Sequence, residues 1–382
     1  MNGTKSVKDA AMELLVQRLN RNLTKQYEAE IKKSIAALPP VELSKVQIDE
    51  IQDYWQTHFG QKITTLWHEF FLARTGNYSP KYIPTSVWRS SIVFVLNYQG
   101  FAHAYADKGF YDTLFPNVCR PKTFVKCVNG YFYTDKESIS REEALRLCSN
   151  LDSAIIKPTL GGTWGNGVSL IKTKDGKVVN KEKINTVEQL FSQYGRSFII
   201  QEKIEQHPAM AALNPDSVNT LRVMTYRNEK EVVVLYSVIR IGRKGKSVDN
   251  ETAGGIKADV DINTGRIKGC ATGTPKEGLI YKTDCGTELE NYQIPCYNAL
   301  LNKAKELHLQ LPYLNIIGWD FTIGSNNEPV MIEFNISPDL SQVAHGPAFG
   351  EYTEEILHLT KERPNTRGFL LGAKSNLYYS YK

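Results

Sequence analysis

Long apolar runs are what this sequence has least of. The longest, Val232 to Ile241, is interrupted by Tyr236, Ser237 and Arg240, well short of the roughly 20 residues that a membrane span requires. No membrane span is expected. The opening Met1-Asn2-Gly3-Thr4-Lys5 also lacks the apolar core of a signal peptide, so the expected location is cytoplasmic. Cysteine is sparse: Cys119, Cys127, Cys148, Cys270, Cys285 and Cys296 form no C-x-x-C pair and no metal-finger spacing, which predicts reduced thiols used for packing. Charge of one sign is missing too. The 46 basic and 41 acidic residues leave a net +5 with no block of consecutive Lys and Arg, which gives no support to a nucleic-acid partner. Internal repeats and low-complexity segments are absent.

What is present is an ordinary globular composition, 41% hydrophobic and 23% charged over 382 residues, enough chain for two or three domain-sized lobes. From about Asp9 to Ala37, Leu15, Leu19, Leu23, Tyr27, Ile31 and Ile35 recur every four residues, predicting an amphipathic helix that stops near Pro39-Pro40. A second helix is expected from about Ser44 into Phe71. Residues 1–100 therefore read as a helical N-terminal lobe. Beyond residue 120, short β-rich runs alternate irregularly with helical stretches near Arg141 to Ser149, Thr186 to Tyr194 and Thr287 to Leu307. Turns such as Asn263-Thr264-Gly265 join several of the runs. That pattern predicts α+β lobes with largely antiparallel sheets.

Two segments carry chemistry. In the first, the run Ala154-Ile155-Ile156-Lys157-Pro158 leads into a loop containing Gly161, Gly162, Thr163, Trp164, Gly165, Asn166 and Gly167, and a second β-run follows. Glycines let backbone N–H groups turn onto anionic oxygens, with the lysine adding charge at the base of the loop. Gly162 and Gly167 have the Walker separation, but Val168-Ser169 stands where that motif needs Lys and Ser or Thr. The dinucleotide fingerprint fails because a strand, not a helix, comes next. A flap between antiparallel strands, closing over phosphates, is the remaining functional reading.

The second segment is Ile316 to Ile323, a turn over Gly324 to Pro329, then Val330 to Asn335. Pairing Gly324 with Pro329 sets Asp320 opposite Glu333 and Thr322 opposite Met331, with Asn335 on the Glu333 face. Directly opposed carboxylates lie about 5 Å apart and repel. A divalent cation would relieve that repulsion, and two carboxylates plus an amide oxygen suit Mg²⁺.

Taken together, the ordered segments Tyr82-Ile83-Pro84, Asp107-Lys108, Ile156-Lys157-Pro158, Leu213 to Arg222, Gly254-Gly255, Gly318-Trp319-Asp320 and Ile332-Glu333-Phe334-Asn335 resemble the ATP-grasp superfamily. The intervening chain is similar to its branch found with polysaccharide assembly, the sugar-transfer associated ATP-grasp proteins. The resemblance covers roughly residues 80 to 350. It implies an ATP-grasp fold in which two α+β lobes grip ATP: residues 101–204 with the flap, residues 205–365 with the metal site, and a tail at 366–382. It also implies that Lys157 and Lys108 hold phosphates, that residues 161 to 167 form the flap, and that Gln201, Glu202, Lys203 and Ile204 form the hinge at the adenine edge. Asp320, Glu333 and Asn335 would hold Mg²⁺, and Arg222, whose planar fork suits a phosphoryl group, would be catalytic.

The activity so implied is an ATP-dependent carboxylate–amine ligase acting through an acyl phosphate, with a carboxylate substrate and an amine substrate, one of them glycan-linked. A kinase of a sugar or lipid hydroxyl and a non-catalytic nucleotide-binding scaffold are the alternatives. Asn219 reads as either a substrate-positioning residue or a turn cap. His207 and His345 stand in loop-like segments and are left out of the catalytic set.

Overall fold

The structure, a computed structural model, describes residues 7–161, 167–181 and 183–362. Three long helices open it: α1 (Val7–Ile35), α2 (Lys45–His58) and α3 (Leu66–Thr75). The expected single helix from Ser44 to Phe71 is in fact two. Ser44 and Gln47 cap α2 reciprocally, their side chains each accepting from the other's backbone N–H. After His58 the chain turns through Gly60 at φ +86° and restarts at Leu66, because a left-handed residue cannot continue a right-handed helix. The helix expected over Thr287 to Leu307 starts only at Tyr297 and runs to Leu309.

Two antiparallel sheets follow. The smaller contains β1 (Thr123–Val128), β2 (Tyr131–Tyr133), β3 (Ser138–Ile139), β4 (Ala154–Pro158), β5 (Ser169–Ile171) and β8 (Phe198–Glu202), in the order β3-β2-β1-β8-β4-β5. A ribbon of β6 (Thr173–Lys174) and β7 (Lys177–Val178) lies outside it. The helices Arg141–Leu147 and Val187–Tyr194 supply Ala144, Leu190 and Phe191 to its core, against Val125, Ile156 and Ile200.

The larger sheet holds β9 (Thr220–Arg227), β10 (Val232–Ile241), β11 (Ile256–Val260), β12 (Ile267–Thr272), β13 (Leu279–Ile280), β14 (Ile316–Ile323) and β15 (Pro329–Asn335), in the order β13-β12-β11-β10-β9-β14-β15. Alternation divides its side chains between two cores. Leu221, Val223, Ile239, Trp319 and Phe321 face the helix Tyr297–Leu309 on one side. Met224, Tyr226, Tyr236 and Val238 face the N-terminal helices and the helix Thr353–Glu362 on the other, against Trp55 and Trp88 of the former and Leu357 of the latter. Arg222 shares parity with Met224, and Arg240 with Val238. The N-terminal helices thus cover one half of this face, while the charged half floors a cleft.

Candidate active site

The cleft encloses about 1880 Å³ and is lined from both sheets. On the small-sheet side, β4 and β5 are antiparallel neighbours, so the glycine loop does connect two such strands. Its ends, Gly161 and Gly167, have φ of +69° and +78°. At Gly167 a Cβ would also come within 2.8 Å of Pro158, so both space and backbone require glycine there. Gly162, Thr163, Trp164, Gly165 and Asn166, the middle of the expected flap, lie outside the described residues, as do the tail residues 366–382.

Lys157, at the end of β4, lines the cleft. Burial, reinforced by the nearby Lys108 charge and opposed by Glu333, lowers its pKa to about 8. Lys108 sits in a short 3₁₀ turn, Lys108–Phe110, capped by Asp107, whose carboxylate accepts from the Gly109 N–H at 2.8 Å. The buried Lys126 ties that turn down by donating to the Gly109 carbonyl at 2.8 Å and pairing with Asp112. Lys108 Nζ lies 3.1 Å from Glu333 Oε2.

The expected hinge residues Gln201, Glu202, Lys203 and Ile204 all line the cleft where β8 ends. Two of their side chains have structural partners: Gln201 donates to the Pro121 carbonyl at 3.2 Å, and Glu202 accepts from the Lys122 N–H at 2.8 Å.

On the large sheet, Asp320 does pair with Glu333, but not by the expected route. Ile323, not Gly324, pairs with Pro329, and Thr322 faces Val330 rather than Met331. The register slips by one at Ile332, a bulge that restores the Asp320 and Glu333 pairing beyond it. Two displacements of one residue cancel at the position that matters.

Asp320 is 1% exposed and sits among cations. Arg222, its register partner on β9, donates Nε to Oδ1 at 2.5 Å and Nη2 to Oδ2 at 2.9 Å. Arg240 Nη2 reaches Oδ2 at 3.0 Å, and the Asn335 amide approaches the same oxygen at 3.4 Å. Burial alone would raise the Asp320 pKa, but the two guanidiniums hold it below the usual carboxylate range. Arg222 is raised reciprocally: burial disfavours its charge and Asp320 outweighs burial. Gly318 makes room for this pairing. A Cβ there would stand 2.6 Å from Pro338 and 3.2 Å from the Arg222 Cδ.

Arg240, Asp249, Lys257 and Arg89 also line the cleft and were not among the expected site residues. Arg240 Nε donates to Thr220 Oγ1 at 2.8 Å, and the same hydroxyl bonds Asp249. Arg222, Asp320, Arg240 and Asp249 thus alternate in charge across three strands and the β10–β11 loop. Arg240 had a sequence signal, since a charge inside an otherwise apolar strand needs a buried partner. Arg89 had none.

Asn219 is fully buried and clamps the carbonyls of Met210 and Asn214, both at 2.8 Å, which decides for the structural alternative. His207 caps the short helix Pro208–Ala211, and His345 bonds Asp259 at 2.9 Å. The six cysteines are free thiols.

Whether these groups fit Mg²⁺ depends on the donors that remain. Among the described residues no group of three or more His, Cys, Asp or Glu gathers; the candidate set is two carboxylates and one amide. A carboxylate oxygen offers about two lone-pair sites; three donors crowd Asp320 Oδ2, while only one meets Oδ1. Room for a metal therefore remains at Oδ1. With Glu333, whose side chain is 27% exposed to the cleft, this hard-oxygen set fits Mg²⁺ chemistry.

A model of the sugar-transfer associated ATP-grasp family matches residues 95–356, most of the chain. The chain belongs to that family. Its fold is the ATP-grasp fold, α+β with antiparallel sheets and a helical N-terminal region.

No curated protein matches the sequence. Among solved structures, D-alanyl-alanine synthetase A from Vibrio cholerae is similar at 12% identity and a TM-score of 0.40, over 70% of this chain and 66% of that one. D-alanine–D-alanine ligase from Bacillus anthracis is similar at 12% identity and 0.37, over 71% and 69%. The ATP-grasp ligase PsnB, complexed with precursor peptide PsnA2 and AMPPNP, gives 12% and 0.37, over 68% and 61%. The family member described here therefore spans just under two thirds of the first of these structures. Among the described residues no helix is long and apolar enough to cross a membrane.

Proposed function

We propose that this family member is an ATP-dependent carboxylate–amine ligase, forming an amide on a glycan-linked substrate in the cytoplasm. The single observation that carries the reading is the convergence, within one cleft, of the half-buried Lys157 and Lys108 with Glu333 and with the Arg222–Asp320–Arg240 cluster. No Ser-His or Cys-His pair is part of it. Such an arrangement suits a reaction that needs in-line positioning and charge neutralisation rather than a protein nucleophile.

In the proposed reaction a substrate carboxylate oxygen attacks the γ-phosphorus of ATP. The bond to the β,γ-bridging oxygen breaks, giving ADP and an acyl phosphate. The amine then attacks the acyl carbon, expels inorganic phosphate and loses a proton as the amide forms. Lys157 and Lys108 would neutralise the nucleotide phosphates, and the segment 161 to 167 would cover them. Gln201 to Ile204 would meet the adenine edge. Arg222 and Arg240, held in place by Asp320, would stand beside the transferring group as fixed positive charge. Asp320, Glu333 and Asn335 would hold Mg²⁺, which when bound supplies neutralisation of phosphate oxygens. We assign residues 101–204 and 205–365 as the two gripping lobes.

The test is a screen of paired carboxylates and amines for release of ADP and phosphate. A ligase releases free phosphate only when both acceptors are present. ADP formation with the phosphoryl group retained on a single acceptor would identify a kinase instead, and nucleotide binding without any turnover would indicate a scaffold.

A further inference from the structure

The cleft is larger than one nucleotide needs. Small-molecule sites run to about 1,000 Å³, against about 1880 Å³ here. Strand spacing separates its two ends. From Glu333 on β15 to Lys257 on β11 the floor crosses β14, β9 and β10, four spacings of about 4.8 Å, or about 19 Å. Lys108 and Lys157 belong to the β15 end, and a different set of groups builds the other.

Among the described residues, Arg89 is the one from the helical lobe (residues 1–100) that lines this cleft. It lies in a π-turn, Trp88–Ile92, in which the Val93 N–H returns to the Trp88 carbonyl. Such local widening of a helix recurs at functional sites. The turn is pinned to the loop after β15: Trp88 Nε1 donates to the Pro338 carbonyl at 2.8 Å, and Arg89 Nη1 donates to the Ser337 carbonyl and hydroxyl, both at 2.6 Å.

The outer partner of Arg89 is Asp339, and that of Lys257 is Glu251 at 2.6 Å. The acids are 54% and 51% exposed, while Arg89 and Lys257 are 22% and 16% exposed. Each acid is thus about half open to solvent, whereas Asp320 in the Arg222 fork is 1% exposed. Asp339 lies within electrostatic reach of Arg89, Lys257 and Arg222 together, which hold its carboxyl below the usual range against the opposing effect of burial. Ser247, Asn250, Thr252, Ser337 and Ser341 complete a hydrophilic wall.

We propose that this end of the cleft is the subsite for a small hydrophilic zwitterion, such as an amino acid or amino-sugar acid. Its carboxylate would be held by Arg89 and Lys257 and its ammonium by Asp339 and Glu251. The inference rests on the ligase reading and adds to it the charge class of one substrate and the reason the helical lobe is part of the site. Arg89 and Lys257, each already matched by an acid about half open to solvent, leave no surplus positive charge for a polyanion. A ligand carrying one charge of each sign exchanges partners with both pairs and leaves the local balance unchanged.

The experiment uses the full chain loaded with a non-hydrolysable ATP analogue and Mg²⁺. Calorimetry or ligand-observed NMR then compares amino acids and amino-sugar acids with their methyl esters, their N-acetyl derivatives and simple uronic acids. The expected result is binding of a zwitterion that weakens about tenfold or more when either charge is removed. Arg89→Gln should erase the difference between acid and ester while the analogue still binds, and Arg89→Lys should restore part of it. Circular dichroism of both variants confirms folding. The proposal is overturned if uronic acids bind as well as the zwitterions, if no zwitterion binds the loaded protein, or if Arg89→Gln keeps the preference for acid over ester. Failure of the ATP analogue itself to bind would defeat the ligase reading, a separate and visible outcome.

Discussion

Lys157 gives the most quantitative handle on the site. Its ammonium would titrate near 10.5 in an open chain, but burial and the neighbouring Lys108 charge bring it to about 8 in the free protein. A bound triphosphate would supply the missing counter-charge and return the pKa toward its ordinary value, so nucleotide binding should draw a proton from solution. With those two limits the uptake at this residue is about 0.1 proton at pH 7, about 0.5 at pH 8 and about 0.9 at pH 9. Calorimetric titration with ATP and Mg²⁺ in buffers of different ionisation enthalpy measures it, and the slope of apparent enthalpy against buffer enthalpy is the proton count. Lys157→Met should remove the rise between pH 7 and pH 9. A wild-type slope that stays flat over that range would refute the assignment of Lys157 to the phosphate site.

The same shift has a consequence for the unliganded fold. Between about pH 8 and 10.5 the unfolded chain keeps a proton that the folded chain has released. Stability from this group therefore rises with pH across that window and is lowest below it, where the buried charge opposes folding in full. Lys157→Met should accordingly raise the melting temperature at pH 7 and make little difference near pH 10.5.

Three further outcomes follow from the geometry. Asp320→Asn leaves Arg222 and Arg240 buried without a full counter-charge and should destabilise the protein by about 3–5 kcal/mol, read by denaturant unfolding. Gly318→Ala pushes a methyl group against Pro338 and Arg222, with an expected loss of about 1–3 kcal/mol and a larger fractional fall in turnover than in ATP affinity. Glu333→Gln removes the Lys108 partner at a partly exposed position. Stability should change by no more than about 1 kcal/mol while Mg²⁺-dependent ATP turnover is lost; retained turnover would remove Glu333 from the metal set.

Local patterning determined a good deal about this protein. Alternation marked Ile316 to Ile323 and Val330 to Asn335 as paired strands, because the two-residue period of a strand is set within the strand itself, whereas the Asp320–Glu333 pairing came out as expected only because the bulge at Ile332 cancels a one-residue displacement at the turn. A lysine, a proline and a cluster of glycines between two β-runs marked β4, its loop and β5 for the same reason: each feature is written in neighbouring residues. The bulge at Ile332, the break between α2 and α3, and the late start of the helix at Tyr297 were less legible, since each is a choice between local conformations of similar energy that packing decides. The charges around Asp320 were legible only as cations on strands that needed a partner, not as one cluster. Arg222 and Arg240 meet it only because β9 inserts between β10 and β14, an order no periodicity encodes. Arg89 reaches the cleft from a helix some 250 residues away in sequence, because the N-terminal helices bury Trp88 against the same sheet face. Hydrophobic burial, which is non-directional, carried that arginine to the site, and the tertiary structure alone decided which carboxylate it would meet.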